Sequence, residues 1–221
     1  MKLIKAATNP EIYKLFLDHS SKDLNLLGLL NGSLMTGNII KEIAVNCIYL
    51  YFQNDQEQKS KIKLFKQFPG LEKRAGKQSD LYEIAENITM KELYELTGVE
   101  FTCTAVDIDN QILRFLNQKT TPDLPVCKAV QMSGSFPVAF EAQRWEKSWG
   151  KYYIHYDNIR REIDLTGCRL TDGGTLANFP VKYLDNEDMR PMYFSHAKDV
   201  NTEMYGIGLI TDIPKEEGKE E

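Results

Sequence analysis

The spacing of the apolar residues changes at Gly98, and this change constrains the fold class more than any other feature. Before it, apolar residues recur at helical spacing over 38–52 and 80–96, and Gly98 ends the second stretch as a helix C-cap. After it, apolar residues alternate as in strands, and the turn residues Asp109 and Asn110 predict a hairpin. Helices and strands are thus interleaved, which predicts the α/β class.

The remaining patterns place the other elements within one domain, 1–212. Asn9 as N-cap and Pro10 at the first helical position predict a helix over 9–19. A short helix is predicted over 123–132, and strands over 150–156, 168–171 and 205–210. The polar stretch 53–80 predicts a surface excursion of loop and short helix, and the charged tail 213–221 predicts disorder. The excursion carries seven basic residues, for which a solvated face is favoured over contact with anionic lipid: Lys59, Lys61, Lys63, Lys66, Lys73, Arg74 and Lys77.

Composition excludes several classes of protein. With 27 Lys plus Arg against 32 Asp plus Glu, the net charge is −5, which argues against nucleic acid as a partner. No apolar stretch reaches the ~20 residues of a membrane-spanning helix. The N-terminus lacks the apolar core of a signal peptide, so a location in the cytoplasm or at a membrane surface is expected if Met1 is the native start. If the N-terminus is missing, the location stays open.

The cysteines and histidines predict neither a metal site nor a cofactor. The four cysteines (Cys47, Cys103, Cys127 and Cys168) form no C-x-x-C pair. Cys103 and Cys127 lie in apolar contexts, so small buried thiols in a reduced compartment are the favoured interpretation. None of the three histidines is spaced to share a metal with a cysteine.

Two segments carry residue types that are used in catalysis. In 129–140 a helical run enters a loop with two serines and a proline, and in 170–181 a β-prone run ends at Asp172 before two glycines. The glycines let the backbone turn sharply and leave a carboxylate exposed at the end of the strand. In open α/β sheets, ligands bind outside the carboxyl ends of the strands. Taken singly, however, each segment is typical of an ordinary turn or loop, and a structural role is favoured.

Together the two segments resemble the patatin-like phospholipases, a family of serine acyl hydrolases. The family pattern A-x-x-x-S-x-S-x-P-x-x-F is matched by 129–140, and D-G-G/A-x-x-x-N-x-P is matched by 172–180. The passage 88–101 is similar to the family's helix, Thr-Gly and strand, and 205–210 is similar to the strand after the aspartate turn. The resemblance covers roughly 20–212, with order and spacing preserved.

The resemblance implies a three-layer α/β/α sandwich that hydrolyses lipid carboxylic esters through a Ser-Asp dyad. In such a dyad the aspartate takes the proton of the attacking serine directly, and backbone amides of glycines form the oxyanion hole. The lipid itself stays open among phospholipid, lysophospholipid, glycerolipid and other acyl esters. The matching residues are Asp172 as general base, Gly173 and Gly174 in its turn, and Ser133, Ser135 and Pro137 in the neighbouring loop that shapes the pocket.

The sequence departs from the family in one respect. None of its 14 glycines begins a G-x-S-x-G elbow, no Gly-Gly-Gly loop exists, and neither serine of the 129–140 segment matches the nucleophile. We therefore expect a domain that is incomplete at its N-terminal side and inactive alone. The alternative is a non-catalytic remnant that binds lipid or protein. Peripheral membrane contact and self-association through an exposed sheet edge are further expectations.

Two histidines and a set of aromatic residues invite catalytic interpretations. His155 and His196 would complete a triad with Asp172, yet a structural or solvent-facing histidine is favoured, and the family uses none. The aromatic residues would line an acyl pocket or contact a membrane, but core packing is the favoured interpretation. They are Phe140, Trp145, Trp149, Tyr152 and Tyr153.

Overall fold

The computed structural model of the protein describes residues 36–54, 60–157, 159–177, 180 and 182–195. Three predicted features lie outside the described residues: the helix 9–19, the strand 205–210 and the tail 213–221. Within the described residues, no helix combines the length and the apolar character that crossing a membrane requires.

The described residues are mixed α/β, as the spacing predicts. The helices are α1 (Asn38–Asn54), α2 (Lys61–Gln67), α3 (Pro69–Ala75), α4 (Leu81–Asn87), α5 (Met90–Thr97), α6 (Val126–Gly134), α7 (Lys182–Asp185) and α8 (Arg190–Tyr193). The strands are β1 (Cys103–Asp107), β2 (Ile112–Leu116), β3 (Gln143–Arg144), β4 (Tyr152–Tyr156), β5 (Ile159–Ile163) and β6 (Arg169–Asp172). Short 3₁₀ turns follow at Lys147–Trp149 and Gly173–Thr175.

The larger sheet has the strand order β2-β1-β6-β3. The predicted hairpin is confirmed as β1 and β2, and β6 returns beside β1 with Ala105 opposite Asp172. Strands β4 and β5 pair with each other in a second, two-stranded sheet. Every strand pairing in the described ranges is antiparallel. The end of β6 is therefore not positioned by the parallel-sheet geometry that the sequence argument used.

The single helix predicted over 80–96 is two helices, α4 and α5. The chain is extended at Ile88, and Thr89 begins α5 with a capping box, in which its hydroxyl accepts the Glu92 N–H and the Glu92 carboxylate accepts the Thr89 N–H. Ile88 also bonds to the start of α6, because its carbonyl accepts the Val126 N–H. The predicted cap is confirmed, because Gly98 ends α5 in the left-handed conformation at φ 68°.

The described part of the stretch 53–80 contains short helices, as predicted, but it is less superficial than the sequence predicts. It forms two short helices, α2 and α3, which begin at the N-cap Ser60 and at Pro69. Most of the basic side chains described in this stretch are exposed, yet Leu64, Phe68 and Leu71 are buried in the common core. The three apolar residues face the core. The free energy gained by burying them therefore holds this stretch against the protein, although most of its residues are polar.

One hydrophobic core joins the helices to the larger sheet. Helix α1 packs against α4 and α6, and α6 in turn packs against β1 and β6. The core-packing interpretation of the aromatic residues is confirmed for Trp145, Trp149 and two tyrosines, Tyr152 and Tyr153, which are all buried. The Trp145 indole N–H donates to the Gly150 carbonyl at 3.1 Å, so its one polar group is satisfied inside the core. Cys103 and Cys127 are buried as free thiols, as predicted.

Candidate functional site

The strand that ends at Asp172 lies inside the larger sheet. Strand β6 pairs with β1 on one side and β3 on the other, and its residues Leu170 and Thr171 are buried. The strand stops at Asp172, which is half-buried, and the chain continues at once into the 3₁₀ turn Gly173–Thr175. A carboxylate is thereby held at the end of a fixed inner strand.

The backbone at Gly173 lies so close to β1 that there is no space for a side chain, and only glycine permits this turn. A Cβ built on Gly173 would lie 2.2 Å from the Thr104 Oγ1 atom and 2.6 Å from the Thr104 carbonyl carbon. The second contact is with backbone of β1, which cannot rotate away. The close approach of the turn to β1 therefore requires glycine at this position.

The Asp172 carboxylate caps its own turn. Its Oδ1 accepts the Gly174 N–H at 2.9 Å, and the turn closes where Leu176 and Ala177 donate to the Gly173 carbonyl at 3.2 and 3.0 Å. Free N–H groups at the start of a turn favour a negative charge there. Gly174 thus orients the carboxylate, and within the described residues no further donor to it is found.

The two motif segments meet at Ser135. Its carbonyl accepts the Asp172 N–H at 3.1 Å and also the Thr171 hydroxyl. The Ser135 side chain is buried, and its hydroxyl donates to the Gln131 carbonyl at 2.6 Å. The Ser135 backbone therefore connects the end of α6 to the end of β6. Its hydroxyl bonds within α6, to the Gln131 carbonyl.

Ser133 and Pro137 lie on either side of this contact and are half-buried. The Ser133 side chain hydrogen bonds to the thiol of Cys103, whose pKa burial raises to about 12 while this bond opposes the rise. Among the residues that the structure describes, no serine hydroxyl donates to the Asp172 carboxylate.

No histidine of the described ranges hydrogen bonds to Asp172. His155 lies on β4, in the two-stranded sheet, and His196 falls outside the described residues. Burial lowers the pKa of His155 below its usual 6.5, and the positive charges of Lys119 and Arg160 add to the effect. The arrangement fits the structural interpretation of His155.

A group of potential metal ligands that the sequence analysis missed is formed by Asp107, Asp109 and Cys168, whose ligand atoms lie within 4.8 Å of one another. Both carboxylates are already paired, Asp107 with the buried Arg114 at 2.8 Å and Asp109 with Arg169 at 2.6 Å. Since the two arginines satisfy the carboxylates, the group is accounted for as ion pairs. Only the folding of β1 against β6 brings its members together.

Comparison with known proteins gives one match. A family model described as patatin-like phospholipase matches residues 13–185, which is more than three quarters of the 221 residues and includes both motif segments. No curated protein and no solved structure gave a significant match.

Proposed function

The chain belongs to the patatin-like phospholipase family, and from this premise we propose that Asp172 is the general base of a lipid acyl hydrolase. The observation that carries the proposal is the contact between the two motif segments, in which the Asp172 N–H donates to the Ser135 carbonyl at 3.1 Å. This contact supports the proposal because it joins Asp172 to the loop that contains Ser133, Ser135 and Pro137.

The proposed reaction uses Asp172 twice. It accepts the proton of a serine hydroxyl as the serine oxygen attacks the ester carbonyl, and it returns that proton to the departing alcohol. A water molecule then attacks the acyl-serine, Asp172 accepts its proton, and the fatty acid leaves as the serine regains a proton. The Gly174 N–H donates to one carboxylate oxygen at 2.9 Å, and the other oxygen, which accepts from no donor among the described residues, would carry out this exchange.

The reaction needs a nucleophilic serine, and the 221 residues contain no G-x-S-x-G elbow that would provide it. We therefore propose that these residues alone are inactive and that the nucleophile comes from outside them. The same observation favours a second candidate, a non-catalytic remnant of the fold that binds lipid or protein. For the hydrolase the proposed partner is lipid, with peripheral contact at a membrane, whereas the remnant would bind lipid or protein. The proposed location is the cytoplasm or a membrane surface.

The test is covalent labelling with a fluorophosphonate, which reacts with activated serines. We expect no labelling of the 221 residues, and labelling of a chain extended in frame upstream of Met1 to include a G-x-S-x-G serine. In that extended chain, Asp172→Asn should lower the rate of ester hydrolysis by about 10²–10⁴-fold, as loss of a general base does. Asp109→Asn is the matched control, because Asp109 is paired with Arg169 at the opposite end of β6.

Each outcome separates the candidates. Labelling of the 221 residues that Asp172→Asn abolishes would contradict the missing nucleophile. Hydrolysis by the extended chain that survives Asp172→Asn would remove Asp172 as the base. An upstream frame that encodes no such serine, together with lipid binding by the 221 residues, would establish the non-catalytic candidate.

A further inference from the structure

Three apolar side chains stand exposed around the end of β6. Phe136, Val138 and Leu176 are 59%, 71% and 57% exposed, and we call them the apolar rim. Phe136 directly follows Ser135, whose carbonyl accepts the Asp172 N–H. Leu176 ends the turn that Asp172 caps, and its N–H donates to the Gly173 carbonyl. The rim therefore comes from the two chain segments that meet at the carboxylate.

The loop that presents the rim is held in a defined shape. The Phe136 N–H donates to the Gly134 carbonyl at 2.8 Å, and the Phe140 N–H donates to the Phe136 carbonyl at 2.9 Å. Between them Val138 takes a φ of 74°, a left-handed conformation that is strained for a β-branched residue. Such strain is concentrated at functional sites. The strained loop presents Phe136 and Val138, both exposed, directly after Ser135.

The two sequence segments that carry the rim contain no charged residues. No charged residue occurs over 129–140 or over 173–181, although 27% of the chain is charged. Other exposed apolar residues differ in this respect, since Ile62 is flanked by Lys61 and Lys63. Apart from Asp172, the two segments thus present apolar and uncharged side chains, which fit hydrocarbon better than the charged headgroup of a lipid.

We propose that the apolar rim enters the acyl-chain layer of aggregated lipid and so brings the ester bond to Asp172. This inference rests on the proposed function, because it takes lipid as the substrate. It adds how that lipid is recognised, which is by apolar contact next to the carboxylate rather than by attraction of a headgroup. Binding should therefore depend little on salt or on the charge of the lipid.

The test is co-sedimentation of the 221-residue chain with phosphatidylcholine vesicles, which needs no catalysis. We expect the double variant Phe136→Ser/Leu176→Ser to bind at least about tenfold more weakly, because two exposed side chains lose their burial in hydrocarbon. The control variant Ile62→Ser/Val99→Ser removes two apolar residues that are more exposed than Phe136 and Leu176 but lie elsewhere, and it should bind like the original chain. Raising the salt from about 0.05 to about 0.5 M should leave binding unchanged.

Equal binding of the double variant and the original chain would overturn the proposal, as would binding that salt abolishes. A shift of the double variant from dimer to monomer would assign the rim to a second copy of the chain instead. Circular dichroism verifies the fold, and the single variant Val138→Ser serves if the double variant unfolds. Failure of the rim and failure of the hydrolase remain distinguishable: the first leaves hydrolysis of soluble short-chain esters by the extended chain intact, and the second leaves vesicle binding intact.

Discussion

At the scale of single residues, Gly173 determines how close the turn after Asp172 comes to β1. The variant Gly173→Ala should lower the free energy of unfolding by about 3 kcal/mol, because its methyl group would meet the Thr104 backbone at 2.6 Å. Urea denaturation followed by circular dichroism measures the loss. In the extended chain, the same variant should also lower ester hydrolysis, since the turn orients Asp172.

A second glycine provides the control for this prediction. Gly70 lies in α3, where an added Cβ would meet only the flexible end of the Arg74 side chain, at 3.0 Å. Gly70→Ala should therefore change the free energy of unfolding by less than about 1 kcal/mol, and alanine favours the helix. Equal destabilisation by the two variants would show that the close approach of the turn to β1 has been misjudged.

At the scale of elements, the β1–β2 hairpin encloses an ion pair. Asp107 and Arg114 are both buried, 2.8 Å apart, and the guanidinium also lies 5.0 Å from the centre of the Tyr152 ring. The variant Asp107→Asn keeps the shape of the side chain but leaves the Arg114 charge unpaired. We expect a loss of about 3–5 kcal/mol in the free energy of unfolding, measured in urea.

The neighbouring pair is the matched control for the hairpin. Asp109 and Arg169 bond at 2.6 Å in an exposed position, and this arginine lowers the pKa of Asp109 below its usual value. Because water replaces the lost contact there, Asp109→Asn should cost far less stability than Asp107→Asn. If both variants were equally mild, burial of the first pair would not contribute to the hairpin.

At the scale of the whole molecule, the larger sheet ends at β2 and β3 within the described residues. Strand β2 pairs there with β1 alone and carries the exposed Ile112. We predict that the average mass, measured by light scattering during gel filtration, rises over about a hundredfold range of concentration, because an unpaired edge can accept another strand. Ile112→Lys should reduce that rise, whereas Ile62→Lys, placed on α2, should not. A constant monomer mass would contradict self-association through this edge.

The elements that local spacing encodes were predicted well. The helix α1, the β1–β2 hairpin and the Gly98 cap all follow from residues close together in the chain. Elements that depend on contacts with distant parts of the chain were not predicted. The break at Ile88 depends on its bond to the start of α6, and β5 escaped prediction because its mostly charged and exposed residues show no buried face.

The sequence by itself determined the class of the fold, the family and the candidate aspartate, because periodicity, caps and motif residues are properties of short segments. Only the tertiary structure decided that Ser135 bonds to Asp172, that Gly173 lies against Thr104, and that the apolar rim comes from the two segments that meet at Asp172. These contacts join residues tens of positions apart. They depend on how helix α6 and strands β1 and β6 pack together, and local spacing carries no information about such packing.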